Sequence, residues 1–311
     1  MDEIVKVVFS VVVFPGLIFS CAVGLFLCWV DRKVTARIQN RIGPPWYQCY
    51  TDILKLMCKT MIIPRGSRKA GFLFAPLLGL SGMVLVATFI LSVIIQPGTG
   101  FTGDLIVILY LLILPSLALI IGGSSSKNPF GTVGSSREMK MMLAYELPFI
   151  IVILTVIVKT KSILLTDIIH YQVSQGVLLA NPSGLIALIV GFICIHAKLG
   201  YIPFDIPEAE SELMGGVLAE YSGTALAIFK LINAMMLFIL PLFLMILFLG
   251  GVRFSIPGIA IALAEFFIIL FLIIILKSTH PRLRIDQAIR FFWWRLTPVA
   301  LVGLILALIG V

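Results

Sequence analysis

Long apolar runs separated by shorter polar stretches repeat along the whole chain. A membrane-crossing helix needs about 20 mainly apolar residues. Eight runs qualify, at roughly 4–30, 72–95, 104–122, 141–159, 184–203, 223–249, 259–277 and 292–311. This pattern predicts an all-α polytopic membrane protein with about eight transmembrane helices, a single membrane domain over 1–311. Pro15, Pro115 and Pro241 fall inside runs and are expected to kink them, because proline lacks the amide donor and its ring clashes with the preceding turn. After the first run, Tyr50–Ile62 sets Ile53, Leu54, Met57 and Met61 against Asp52, Lys55 and Lys59. It is too short to span, so it is predicted to be an amphipathic helix lying in the interface plane.

Composition agrees. The 311 residues are 60% hydrophobic and 12% charged, against about 45–50% and about 25% in soluble domains. The net charge of +8 does not point to nucleic acid, because the basic residues sit between apolar runs. Arg32, Lys33, Arg37, Arg41, Lys55, Lys59, Arg65, Arg68 and Lys69 follow the first run; Lys127, Arg137 and Lys140 follow the third. Lys198 ends the fifth, and Lys277, Arg282, Arg284 and Arg290 follow the seventh. The alternate loops hold only Lys159, Lys161 and Arg253. The positive-inside rule then puts loops 31–71, 123–140, 204–222 and 278–291 in the cytoplasm and both termini outside, in a prokaryotic cell (inner) membrane. The first run has no cationic start and is too long for a signal-peptide core, so it reads as a retained span.

The five cysteines are Cys21, Cys28, Cys49, Cys58 and Cys194, with no CxxC pair. Metal and cluster ligands need closer convergence, so no metal or redox cofactor is expected in this chain.

The polar residues that carry candidate chemistry are few. Lys33, Arg37 and Arg41 recur every four residues and would form a basic stripe on a helix that Gly43-Pro44-Pro45 breaks. With Arg32 they could dock a partner, or simply fix topology. Gly122–Lys140, rich in small residues, reads as irregular surface chain. Glu146 lies within an apolar helix, where desolvation favours the protonated acid. It could handle protons or simply bond a neighbouring helix. His196 and Lys198 close the fifth run, the histidine reading as a packing residue. Lys230 and Glu265 are intramembrane charges, which usually pair or line a hydrated cavity.

The densest polar feature is Tyr201–Gly223, YIPFDIPEAESELMGGVLAEYSG. Asp205, Glu208, Glu210, Glu212 and Glu220 put five of the chain's 15 acidic residues there, between two apolar runs. Asp205 and Glu208 have capping-box spacing, and Pro207 suits a first helical turn. A helix would carry Asp205, Glu208 and Glu212 on one face, and like carboxylates so placed should include one with a raised pKa. The helix dipole would account for the first two acids, but not for Glu212 or Glu220. Such a cluster suits proton loading or charge sensing.

Here several motifs, in order along the chain, carry a family resemblance. FDIPEAESEL with AEYSG, DRKVTARIQNRIGPP, REMKMMLAYELPF and HPRLRIDQAIRFFWWRLTPVAL resemble the H subunit of complex I, which joins the redox arm to the membrane arm. GPP and GSSREM resemble its membrane-bound [NiFe] hydrogenase, formate hydrogenlyase and sulfane reductase branch. The resemblance implies an anchoring and coupling subunit, linking ferredoxin-driven (or formate-driven) electron transfer to H⁺ or Na⁺ translocation. It implies a relay over Asp205, Glu208, Glu210, Glu212, Glu220 and Glu146, with Arg32, Lys33, Arg37 and Arg41 docking the redox arm. The expected partners are [NiFe]-hydrogenase-like large and small subunits, an iron–sulfur subunit, antiporter-like membrane subunits and the lipid bilayer. [4Fe-4S] clusters and NiFe would sit on those partners. The alternative is a quinone- or methanophenazine-binding subunit of an NADH- or F420H2-type dehydrogenase. An independent secondary carrier would show an internal repeat, and none is visible.

Overall fold

The computed structural model describes residues 2–96, 98, 100, 103–208, 210–252 and 255–310, with side chains for all of these except 2–4, 210 and 211. Arg253 and the side chain of Glu210 therefore lie outside the described residues. The described residues contain helices and connecting turns, and no strand. The helices are α1 (Asp2–Val12), α2 (Leu17–Ile38), α3 (Gln48–Met57), α4 (Lys69–Ile95), α5 (Asp104–Leu111), α6 (Leu114–Ser125) and α7 (Pro129–Thr160). They continue with α8 (Leu165–Gln175), α9 (Pro182–Lys198), α10 (Glu210–Leu213), α11 (Gly223–Phe248), α12 (Ile256–Thr279), α13 (Ile285–Arg290) and α14 (Thr297–Ile309). Seven helical segments among the described residues are long and apolar enough to cross a membrane. The eighth expected span is α9, apolar but only 17 residues long.

The prolines act differently at each site. The first span breaks at Val13–Gly16 around Pro15, separating α1 from α2. The third breaks just ahead of Pro115, separating α5 from α6. Pro241, by contrast, lies within a continuous α11. A π-helical stretch, Phe291–Leu296, joins α13 to α14, and the Thr297 hydroxyl donates to the Phe292 carbonyl it frees.

Helix α11 is buried on nearly all sides and forms the centre of the bundle, with α2, α4, α9 and α12 packed around it. This explains why its second half, Ala234–Phe248, is apolar all round. Helices α4 and α6 approach closely through small residues: a Cβ on Gly79 would press on Ala118, and one on Gly82 on Leu114. Helix α3 forms where an amphipathic helix is expected, but it starts at Gln48 and ends at Met57, so Met61 lies beyond it. Cys49 and Ile53 pack on Leu25 and Ala234 while Leu54 and Met57 stay exposed.

The four basic loops gather at one end of the bundle. Arg68 N–H donates to Ser125, Ile62 N–H to the Ser222 hydroxyl, and Leu283 N–H to Pro203. All four predicted loops thus share one face, as alternating spans require. Two local expectations are corrected. The 123–140 segment is not irregular surface chain, because α7 starts at Pro129. Asn128 accepts from Phe130 N–H, and proline suits the first turn. The basic stripe is also shorter than expected, since α2 ends at Ile38 and Arg41 lies beyond it.

Candidate functional site

The acidic stretch is not the expected helix. Residues 199–208 and 214–222 run mainly as turns, with only α10 between. Asp205, Glu208 and Glu212 therefore share no helix face. The segment instead folds back over the start of α7, where Gly134 leaves no room for a Cβ beside Pro207 and Val217. Tyr221 anchors its far end: the ring stacks on Phe72 at 4.1 Å between centroids, and the hydroxyl donates to the Phe72 carbonyl at 3.0 Å. Gly223 then turns at φ +60°, against the carbonyls of Lys59 and Thr60, in the left-handed region that favours glycine.

The acids are not left to repel one another. Arg282 donates to Asp205 at 2.5 Å, Arg137 to Glu212 at 2.6 Å, and Asn128 to Glu220 at 2.6 Å. The expected rise of at least one carboxyl does not fall on Glu212. The hydrogen bond and charge of Arg137 hold its carboxyl below the ordinary value. What reads in sequence as an electrostatically crowded strip is largely a set of ties between the loop, α7 and the segment before α13.

Beneath the loop lies a cavity of about 390 Å³. Its polar wall is made by Glu138, Lys198, Asp205, Glu208, Lys277 and Arg282. Its apolar wall includes Met141, Tyr201, Phe204, Phe229 and Met236. Glu208 is half-buried on this wall. His196, buried on α9, donates through Nε2 to the Ile202 carbonyl at 2.7 Å and so fixes the turn carrying Tyr201. The Tyr201 ring centre lies 4.2 Å from the Lys277 ammonium.

From the cavity a polar chain continues into the bundle. Glu138, on α7, is buried at 9% exposure. Ser116, which lines the same cavity, shares a 2.8 Å hydrogen bond with the Tyr145 hydroxyl. Lys198, on α9, donates to Glu146 at 2.7 Å, with side-chain exposures of 1% and 12%. Its ammonium also lies 5.0 Å from the Tyr145 ring centre and 4.8 Å from that of Phe149. The pair and the ring faces together compensate a charge that is costly to bury. Polar groups thus extend from the cavity wall at Glu138 and Lys198 to the buried Ser116–Tyr145 and Lys198–Glu146 pairs.

The fold brings some of the expected residues here and not others. Asp205 and Glu208 line the cavity, and Glu146 continues from it. Glu212 and Glu220 bind Arg137 and Asn128 instead. Lys230 is exposed on α11 and Glu265 half-buried on α12, and neither lines the cavity. Arg32 pairs with Asp52 at 2.9 Å, Lys33 donates to the Gly43 carbonyl at 3.4 Å, and Arg37 and Arg41 are exposed. Sequence reasoning does not single out three participants as site residues: Glu138, Lys198 and Lys277. Glu138, Met142 and Glu146 recur every four residues, a signal readable once α7 is known to begin at Pro129.

The family profile described as NADH dehydrogenase matches residues 9–308. The chain belongs to this family. It is 34% identical over 307 residues to the H subunit of the NADH-quinone oxidoreductase of Geobacillus sp. (strain WCH70), covering 93% of this chain and 90% of the relative. It is 32% identical over 291 residues to the subunit of that name from Geobacillus thermodenitrificans (strain NG80-2), covering 89% and 86%. It also matches a chain in the structure of the membrane-bound sulfane sulfur reductase, an archaeal respiratory membrane complex. There the TM-score is 0.87 and the identity 29%, over 99% of this chain and 100% of that one. The resemblance read from the motifs is borne out along the whole chain.

Proposed function

We propose that this chain is a membrane-anchoring and coupling subunit of a respiratory complex related to complex I, of the hydrogenase or sulfane-reductase type. It would seat a soluble redox module and link electron transfer from ferredoxin (or formate) to H⁺ or Na⁺ movement. The observation that carries this reading is the cavity between the acidic loop and the bundle, with its polar continuation through Glu138 and Lys198 to Glu146. A charge change at the loop face reaches Asp205 and Glu208, and through them the buried groups. Glu210, Glu212 and Glu220 would set the charge of that face. Arg37 and Arg41 are free of helix packing and would meet the redox module, with Arg32 and Lys33 shaping the loop that presents them. [NiFe]-hydrogenase-like and iron–sulfur subunits would supply the clusters, and antiporter-like subunits would extend the ion path. The basic face would be cytoplasmic, with both termini outside.

Replacing Glu208 with glutamine in the whole complex tests this. The reading predicts fewer ions moved per electron, and an unchanged ratio would count against it. One observation favours a second reading: the cavity falls within the roughly 300–1,000 Å³ of small-molecule sites, and its apolar wall could hold a quinone or methanophenazine ring. Quinone-protected labelling of Tyr201 or Phe204 would favour it.

A further inference from the structure

Resting on the coupling reading above, we propose that Lys198 is a moving counter-ion that gates the route, its ammonium alternating between Glu146, where it is found, and Glu138 at the cavity wall.

Four observations support it. Lys198 is the cation that bonds Glu146, and it also lines the cavity with Glu138. It acts electrostatically on Glu138 from its present position. Glu146 uses one oxygen for Lys198, while Oε1 is buried with no hydrogen-bond partner among the described residues. The ammonium sits against two aromatic faces that hold a cation without fixing its direction, on a flexible four-carbon stem. The groups facing it are Glu138, Tyr145 and Glu146 of α7 and Cys194 of α9. Asp205, Glu208, Lys277 and Arg282 lie around the cavity. One ammonium thus serves two buried carboxylates, and an unpaired buried carboxylate is held far more cheaply as the neutral acid.

The proton balance follows. With Lys198 on Glu146, that carboxylate is ionised and Glu138 takes a proton from the cavity. When the proton passes from Glu138 to the unpartnered Oε1 of Glu146, Glu138 becomes ionised and draws Lys198 across. When Lys198 returns, Glu146 releases the proton away from the cavity, and Glu138 is reloaded from the cavity. One proton moves per cycle and no covalent bond other than O–H changes. The lysine never leaves both carboxylates bare together, so the route is not open from end to end.

The test uses the purified whole complex in proteoliposomes, driven by a low-potential chemical reductant, with ions moved per electron as the readout. Subunit content and infrared carboxyl bands are measured on the same samples. Glu146→Gln, Lys198→Met and the neutral double variant Lys198→Met/Glu146→Gln should all assemble with the ratio lost. In Glu138→Gln, Lys198 has no second partner, so the protonated-carboxyl band assigned to Glu146 should vanish, and adding Lys198→Met should restore it. Recovery of the ratio in the double variant would make the pair merely structural and overturn the gate. A wild-type ratio in Lys198→Met with loss in Glu146→Gln would overturn the gate and leave the coupling reading standing. A wild-type ratio in Glu146→Gln would sink the coupling route through this residue and the gate with it. A Glu146 band unchanged in Glu138→Gln would also overturn the gate.

Discussion

Lys277 and Asp31, 246 positions apart, meet at 2.7 Å and fasten the end of α12 to the middle of α2. Asp31 is almost wholly buried, its side chain 4% exposed, and it also accepts from Thr35 at 3.4 Å. The same lysine covers Tyr201 and lines the cavity. The tie therefore links the first basic loop to the acidic loop through one ammonium. Asp31→Asn should destabilise the chain by about 2 kcal/mol, the range of a charged hydrogen bond. Thermal unfolding of the purified subunit or complex checks this. Because Lys277 loses its anchor, the variant should also show faster chemical labelling of cavity residues.

Arg37, in the last turn of α2, and Arg41, beyond its end, stand exposed, while Arg32 is occupied by Asp52. Replacing Arg37 and Arg41 together by glutamine should release the soluble module at lower salt than in the wild type, since exposed charge contacts are screened. Arg32→Gln should act differently, disturbing α3. Size-exclusion chromatography of the complex across a salt series checks both. Retention of the module at every salt tested would remove the docking role.

The pairing of Arg137 with Glu212 ties α10 to α7 and has a defined pH window. Because Glu212 is held below its ordinary value of 4.5, the tie is fully present above that value. It is lost as pH falls through the lower, folded-state value. Protease sensitivity of the 209–216 segment should therefore stay flat from neutral pH down to the ordinary glutamate value and rise only below it. Arg137→Gln should raise it already at neutral pH.

The spans, the short amphipathic helix and the clustering of basic loops are legible in the sequence because hydropathy and charge are read one segment at a time. The acidic loop is not. Capping-box spacing at Asp205 and Glu208 promises a helix, but Arg282 and the packing of Pro207 against α7 take those residues instead. The start of α7 is hidden because its glycines and serines read as loop. They are there for close approach: a Cβ on Gly131 would meet Ser126 and one on Gly134 would meet Val217. Glu146 is visible as an acid in an apolar helix. Its partner Lys198 is visible only as a loop cation, because the two are 52 residues apart and sequence does not show which helices face each other.

The most direct measurement of the coupling claim is the number of ions moved per electron by the whole complex carrying Glu138→Gln. The substitution keeps the shape of the side chain and removes its proton from circulation at the junction between cavity and bundle. The account predicts that the ratio falls to the level of an uncoupled complex. A ratio equal to the wild type, in a fully assembled complex, would contradict it.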